Sequence, residues 1–165
     1  MRLLQMDERL VGVLIKATRD GLAMGGMKPI PMGASRRFVC SRDVTAIIGC
    51  VGASSGSVFI NCSKECATFM ASKMLGEERK SLDNAVLDGI CEIANIIAGQ
   101  TKALLSTTEF KFERISTPAV VVGSNYLVSH YKGATTVSLD FEMEGVPASV
   151  TEDMTFTVAM FLVKI

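Results

Sequence analysis

Residues 82–105 read LDNAVLDGICEIANIIAGQTKALL, the longest run of helical periodicity in the chain. At about 100° per residue, Leu82, Val86, Ile90, Ile93 and Ile97 fall within about 80° of one another, a stripe that turns toward a core. Asp88, Glu92, Asn95 and Gly99, spaced four, three and four residues apart, fall within about 60° on nearly the opposite side. The helix therefore buries one face and carries an ordered polar face that ends in a glycine. Gly99 costs about 0.5–1 kcal/mol of helix stability relative to Ala. A position without a Cβ lets another surface approach the backbone closely.

Outward from this helix, the period changes. Upstream, Leu10, Val13, Leu14 and Ala17 recur at helical spacing over residues 6–22, with Asp7 and Glu8 in the first turn, where the helix dipole favours them. Gly21 and the Gly25-Gly26 pair end that helix, and Pro29 and Pro31 keep the next segment extended. Residues 36–40, 44–51 and 57–61 read as strands, with 52–56 as a hairpin turn. A second helix spans 63–75, with Ser63 as its N-cap and Gly76 as its stop, and the charged run 77–80 is a solvated connector. Downstream, 111–115 and 135–143 alternate as strands do, 119–122 reads as a buried apolar run, and 155–163 is a last strand in a covered or paired position.

The order helix, strands, helix, helix, strands predicts an α+β fold: an antiparallel sheet packed with long helices. Each half offers a helix followed by antiparallel strands, which points to two pseudo-repeated halves. At 165 residues the chain fits a single domain, 1–165, long enough to bury a core.

Composition excludes several functions. Seventeen basic residues balance seventeen acidic ones, which argues against a broad electrostatic grip on nucleic acid or an anionic membrane. The five cysteines, Cys40, Cys50, Cys62, Cys66 and Cys91, are scattered among apolar neighbours, as buried thiols of a reducing compartment are. Charges interrupt the N-terminal segment before an apolar run reaches signal-peptide length, and no apolar stretch approaches the ~20 residues of a membrane span. A cytoplasmic location is expected. The only histidine, His130, has no Ser or Cys beside it in a hydrolase motif and reads as a surface or strand residue. Gly49, Gly52 and Gly56 fit no nucleotide-binding fingerprint and read as turn glycines. No carboxylate/His cluster marks a metal site of the chain's own.

Every amphipathic helix has a polar stripe opposite an apolar one, so periodicity alone does not single out Asp88, Glu92 and Asn95. Two details do more. Neither carboxylate has a Lys or Arg four residues away, so these are not helix-stabilising ion pairs. Asn95 is a poor helix former at mid-helix, and its amide offers both a donor and an acceptor with which to orient water.

The order Asp88, three residues, Glu92, two residues, Asn95, twenty-two residues, Pro118 resembles the signature of the CheC/CheX chemotaxis phosphatases. Residues 92–99 are similar to that family's helix and 116–123 to its following strand entry. Residues 52–61 are similar to its Gly-rich hairpin and strand, and 67–76 to its next helix. The first helix has no Glu-x-x-Asn of its own, so the single site resembles the CheX arrangement, which the family forms into a homodimer through its sheet.

The resemblance implies a substrate: the aspartyl phosphate of a CheY-like response regulator in two-component signalling. Asn95 would orient the attacking water, and Glu92 would dock on the regulator's active-site lysine. Asp88 would support that docking, Gly99 would admit the partner, and Pro118 would shape the adjoining strand. No cofactor is implied for the chain itself, and Mg2+ would belong to the receiver. The alternative is a non-catalytic module of the same fold, related to flagellar switch proteins, that binds a receiver without hydrolysis.

Overall fold

The computed structural model describes residues 6–130 and 133–165. Its first helix, α1 (Glu8–Ala23), is capped by Asp7, whose carboxylate accepts from the Arg9 and Leu10 amides at 3.0 and 3.4 Å. Ser63 caps α2 (Lys64–Leu75) by accepting from the Cys66 amide at 3.0 Å, and Gly76 ends it with a left-handed φ of 70°. The longest helix, α3 (Asn84–Leu105), starts two residues later than its apolar periodicity predicts. Asp83 sets the start, its carboxylate accepting from the Val86 amide at 3.0 Å. The short carboxylate competes for a cap position that Leu82 cannot fill. The described residues contain no helix long and apolar enough to cross a membrane.

Seven strands form one antiparallel sheet among the described residues: β1 (Pro29–Ser35), β2 (Val44–Val51), β3 (Ser54–Cys62), β4 (Arg114–Ile115), β5 (Ala119–Val122), β6 (Thr135–Met143) and β7 (Thr155–Lys164). Their order is β1-β6-β7-β3-β2, with β4 and β5 both paired to the far side of β2. The edge strand of each half pairs with the second strand of the other, and β3 and β7 pair at the centre. The order therefore reads the same from either end once the halves are exchanged, which is the pseudo-repeat expressed as topology. α3 packs against both α1 and α2. Gly89 makes the second contact possible, because a Cβ there would lie 2.8 Å from the Ala71 Cβ.

The main core lies between the helices and one face of the sheet, and Leu14, Ile60, Ile90, Ile97 and Phe156 are fully buried in it. A second cluster covers the other face, where Phe38, Cys40 and Tyr126 pack on Phe59 and Phe161. His130 belongs here too. It is half-buried and stacks on the Phe161 ring, and burial depresses its pKa.

Several strand expectations are corrected. Residues 36–40 form no strand beyond a single bridge between Cys40 and Tyr126. They lie across the outer face with Phe38 and Cys40 buried and Arg37 and Val39 exposed, so an extended segment on a sheet mimics a strand's alternation. The true strand is the Pro-containing β1, tolerated at a sheet edge where outward amides need no partner. β3 begins at Ser54, so the turn shrinks to Gly52-Ala53. Gly49 and Gly56 lie within strands, not turns. A Cβ on Gly56 would come within 1.7 Å of the Phe161 carbonyl oxygen, so close approach is what demands the glycine. Of 111–115, only β4 pairs. Residues 119–122 are not buried: β5 is an edge strand, with Val121 and Val122 exposed. The last strand, β7, is central between β6 and β3, as its apolar character predicts.

Candidate active site

The site begins with α3. Its apolar stripe (Val86, Ile90, Ile93 and Ile97) is at most 1% exposed, which fixes the rotation of the helix about its axis. That rotation turns Asp88 and Glu92 to the surface and leaves Asn95 half-buried between them and the sheet. Together with Cys91, these three side chains form one wall of a cleft of about 410 Å³.

The opposite wall is Ile115, Ser116, Thr117 and Pro118, the passage from β4 to β5. It is built by a bulge. Cys50 pairs with Ile115 and Ile47 with Ala119, so Ile48 and Gly49 of β2 face three residues, Ser116, Thr117 and Pro118. One residue is in excess, and the returning strand bends away from β2 toward α3. The bend is pinned. Ser116 donates its amide to the Gly49 carbonyl at 2.8 Å, and its Oγ accepts from the Gly49 amide at 2.9 Å. The same Oγ donates to the Thr117 carbonyl at 2.8 Å. Pro118 has no amide to return to the ladder, so pairing resumes only at Ala119.

Four of the sequence-predicted residues, Asp88, Glu92, Asn95 and Pro118, therefore line one cleft. Gly99 lies one turn beyond it and is not part of its walls. A Cβ on Gly99 would meet nothing within 4 Å, so no part of the described chain uses its openness. Cys91, Ser116 and Thr117 were not singled out from sequence. Cys91 sits about 40° round the helix from Asn95, within reach of the same reasoning, and Ser116 and Thr117 immediately precede Pro118.

Electrostatically the cleft is open for business with a charged partner on one side only. Among the described residues, Asp88 and Glu92 take part in no ion pair, and nothing bonds to the Asn95 amide. The Cys91 thiol is pushed up by burial and then by the charge of Asp88, so it stays protonated and neutral. Two unpaired carboxylates thus stand beside a free amide, an arrangement that attracts a cation and can orient a water. No group of three His, Cys, Asp or Glu side chains converges to hold a metal among the described residues. A larger cleft of about 770 Å³ lies between α2 and the connector after it, and the side chains at its centre bond to one another. Ser72 Oγ donates to the Thr68 carbonyl and accepts from the Arg79 amide, while the Arg79 guanidinium pairs with Glu77 and Asp83.

Comparison with known proteins bears on the family and the fold. The model of the family described as "Chemotaxis phosphatase CheX" matches residues 44–142. The chain is similar to the chemotaxis protein CheX from Desulfovibrio desulfuricans, at 27% identity and a TM-score of 0.77, covering 93% of this chain and 99% of that one. It is similar to a CheC-like superfamily protein from Shewanella sp. PV-4, at 25% identity and a TM-score of 0.77, covering 96% and 99%. It also resembles a chain of the CheX–CheY–BeF3–Mg2+ complex from Borrelia burgdorferi, at 25% identity and a TM-score of 0.72, covering 96% and 99%. No curated protein matches it significantly.

Proposed function

The chain belongs to the CheX family of chemotaxis phosphatases, and from that premise we propose that it hydrolyses the aspartyl phosphate of a CheY-like response regulator at the cleft between α3 and the β4–β5 bulge. The observation that carries this reading is the free Asn95 amide, half-buried between the unpaired Glu92 carboxylate and a rigid second wall.

The chemistry asks little of the phosphatase. A water oxygen attacks phosphorus in line, the bond to the aspartyl oxygen breaks, and the carboxylate leaves with its electron pair as inorganic phosphate forms. The receiver supplies the phosphoryl group and its Mg2+, in keeping with the BeF3 and Mg2+ of the Borrelia complex. What remains is to place the water. Asn95 Oδ1 can accept a hydrogen bond from that water and fix its lone pair toward phosphorus, a positioning effect that is worth large rate factors. Glu92, exposed and without a cation of its own, docks on the receiver's lysine and sets the distance between the two proteins. Asp88, one turn earlier, adds to the same negative patch. Gly99, bare beyond Asn95, leaves room for the receiver's backbone, and Pro118 shapes the far wall. A cytoplasmic location follows from such a substrate.

A second copy of this chain adds along β5, the edge strand beside the site. Among the described residues no strand pairs with its outer backbone edge, and its Val121 and Val122 side chains are exposed, as in strands that pair across a dimer.

Phosphate release from a phosphorylated CheY receiver tests the function. Wild type accelerates it, Asn95→Ala is nearly inactive while still folded, and Glu92→Ala loses activity through weaker binding. Substantial activity in a folded Asn95→Ala would sink the mechanism. Tight binding of the receiver with no faster phosphate loss would instead favour a docking module without catalysis.

A further inference from the structure

The bulge that forms the second wall leaves its middle residue in an unusual position. Thr117 lines the cleft opposite Asn95 and is exposed. Its carbonyl is occupied by the Ser116 hydroxyl at 2.8 Å. Its own N–H and hydroxyl find no acceptor among the described residues. The carbonyls that accept from this side of the sheet are those of Asp43, Gly49 and Val51, so Ile48 turns its backbone toward β3 and offers Thr117 no ladder partner. Thr117 and Pro118 both lie between the Gly49–Ser116 and Ile47–Ala119 pairs, where Thr117 directs its N–H away from β2 and Pro118 has none to offer. The Ser116–Gly49 pair then holds the bulge from behind, so the Thr117 peptide is fixed before any ligand arrives.

The cleft is consequently divided by charge. Acceptors, the Asp88 and Glu92 carboxylates, stand on the α3 wall, and preset donors without partners stand on the β4–β5 wall. A ligand complementary to both presents a cation to one wall and an anion to the other. A receiver's lysine beside its phosphorylated aspartate has that form. We propose that Thr117 is a phosphoryl-binding residue, its hydroxyl and N–H donating to one oxygen of the receiver's phosphoryl group while Asn95 holds the water. This deepens the phosphatase reading and rests on it. Charge spreads over the three equatorial oxygens in the transition state, and donors that need no reorganisation at that moment stabilise it best.

The test is a binding titration with a CheY receiver in two forms, loaded with Mg2+ and beryllofluoride as a phosphoryl mimic, and unloaded. A contact to the phosphoryl group acts on the first form alone. Thr117→Val keeps the shape and removes the hydroxyl. It should weaken binding of the loaded receiver by about tenfold, the usual effect of losing a charge-assisted hydrogen bond, and that of the unloaded receiver by less than about twofold. Thr117→Ser restores the hydroxyl and should return the loaded-form affinity to near wild type. Equal losses for both forms, no loss for either, or failure of Thr117→Ser to rescue would overturn the assignment. The two readings fail separately. If Asn95→Ala abolishes phosphate release while Thr117→Val binds the loaded receiver normally, the phosphatase reading stands and the Thr117 role falls. If the loaded receiver is preferred through Thr117 but wild type releases no phosphate, the reverse holds.

Discussion

The Gly49 amide donates to Ser116 Oγ at 2.9 Å, and the Ser116 amide donates back to the Gly49 carbonyl at 2.8 Å. This reciprocal pair joins the first half of the chain to the wall of a site whose other wall lies on α3. A side chain on Gly49 would crowd it, since a Cβ there would sit 3.3 Å from Ser116 Oγ. Ser116→Ala removes the acceptor of the Gly49 amide and the donor to the Thr117 carbonyl. Both groups lie near solvent, so water replaces them and stability falls by no more than about 1 kcal/mol. The wall they hold loses its fixed geometry, and misplacement of that kind costs far more in rate than in folding. Ser116→Ala should therefore slow phosphate release by about tenfold with a melting temperature within a few degrees of wild type, by parallel kinetics and calorimetry. A full-rate Ser116→Ala would show that the bulge positions nothing.

Glu92 makes a prediction of a different kind because it is exposed and unpaired. Its contribution to receiver binding is a charge contact at a wet rim, about 1 kcal/mol and weakened by salt. Glu92→Gln should reduce receiver affinity by about fivefold at low ionic strength and by less at high ionic strength, flattening the salt dependence. Folding should not change, since no intramolecular ion pair is lost. Titrations at two salt concentrations give the answer, and parallel salt slopes for the two proteins would exclude a lysine contact.

What the sequence makes legible follows from range. The apolar and polar stripes of α3 repeat within one helix, so Val86, Ile90 and Ile93 orient Asp88, Glu92 and Asn95 without reference to the rest of the chain. Ser63 and Gly76 are equally local signals. The second wall is not local: the bulge arises from pairing between β2 and residues more than sixty positions later, and only Pro118 marks it in the sequence. Burial is the other non-local quantity. Four apolar residues in a row at 119–122 read as a buried strand, but whether a strand is central or at an edge depends on what adds to it. Phe38 and Cys40 misled for a related reason, because a lone segment draped on a sheet alternates just as a paired strand does.

The open β5 edge leads to an oligomer test. If a second copy adds there, lysines at Val121 and Val122 place charge where two strands must meet and should prevent pairing. Multi-angle light scattering should report a dimer for wild type and a monomer for Val121→Lys/Val122→Lys at the same concentration. The double substitution leaves the core intact, as both positions are exposed in the single chain, so its far-UV circular dichroism should match wild type. A dimer that survives it would move the interface elsewhere.

Gly56 tests the sheet itself. It sits at the pairing of β3 with the central strand β7, opposite Leu162, where an added Cβ would come within 1.7 Å of the Phe161 carbonyl oxygen and 2.7 Å of its carbon. Both contacts are to backbone, so no side-chain rotation relieves them. Gly56→Ala must separate β3 from β7 and should destabilise the chain by about 3 kcal/mol or more, at the severe end for single substitutions. Urea denaturation should show a large drop in midpoint. A change of less than 1 kcal/mol would mean the two strands are not so closely apposed.

The buried thiols set an alkaline limit. Burial pushes the Cys50 and Cys66 thiols up to about 12, and raises that of Cys62 well above its ordinary value. Folded chain thus holds these protons at a pH where unfolded chain, with thiol pKa values of about 8.5, releases them. Their contribution is fully present below that pH and is lost as pH rises above it, because deprotonation then favours the unfolded state. Each buried thiol should remove about 1.4 kcal/mol per pH unit once the unfolded thiol has titrated. Urea midpoints at pH 7.5, 9 and 10 should decline in wild type and decline less steeply in Cys50→Ala/Cys66→Ala, whatever the lower starting stability of that variant. The difference in slope is the informative quantity, since lysines and tyrosines titrate alike in both proteins. Identical slopes would mean that these thiols ionise in the folded chain as readily as in water.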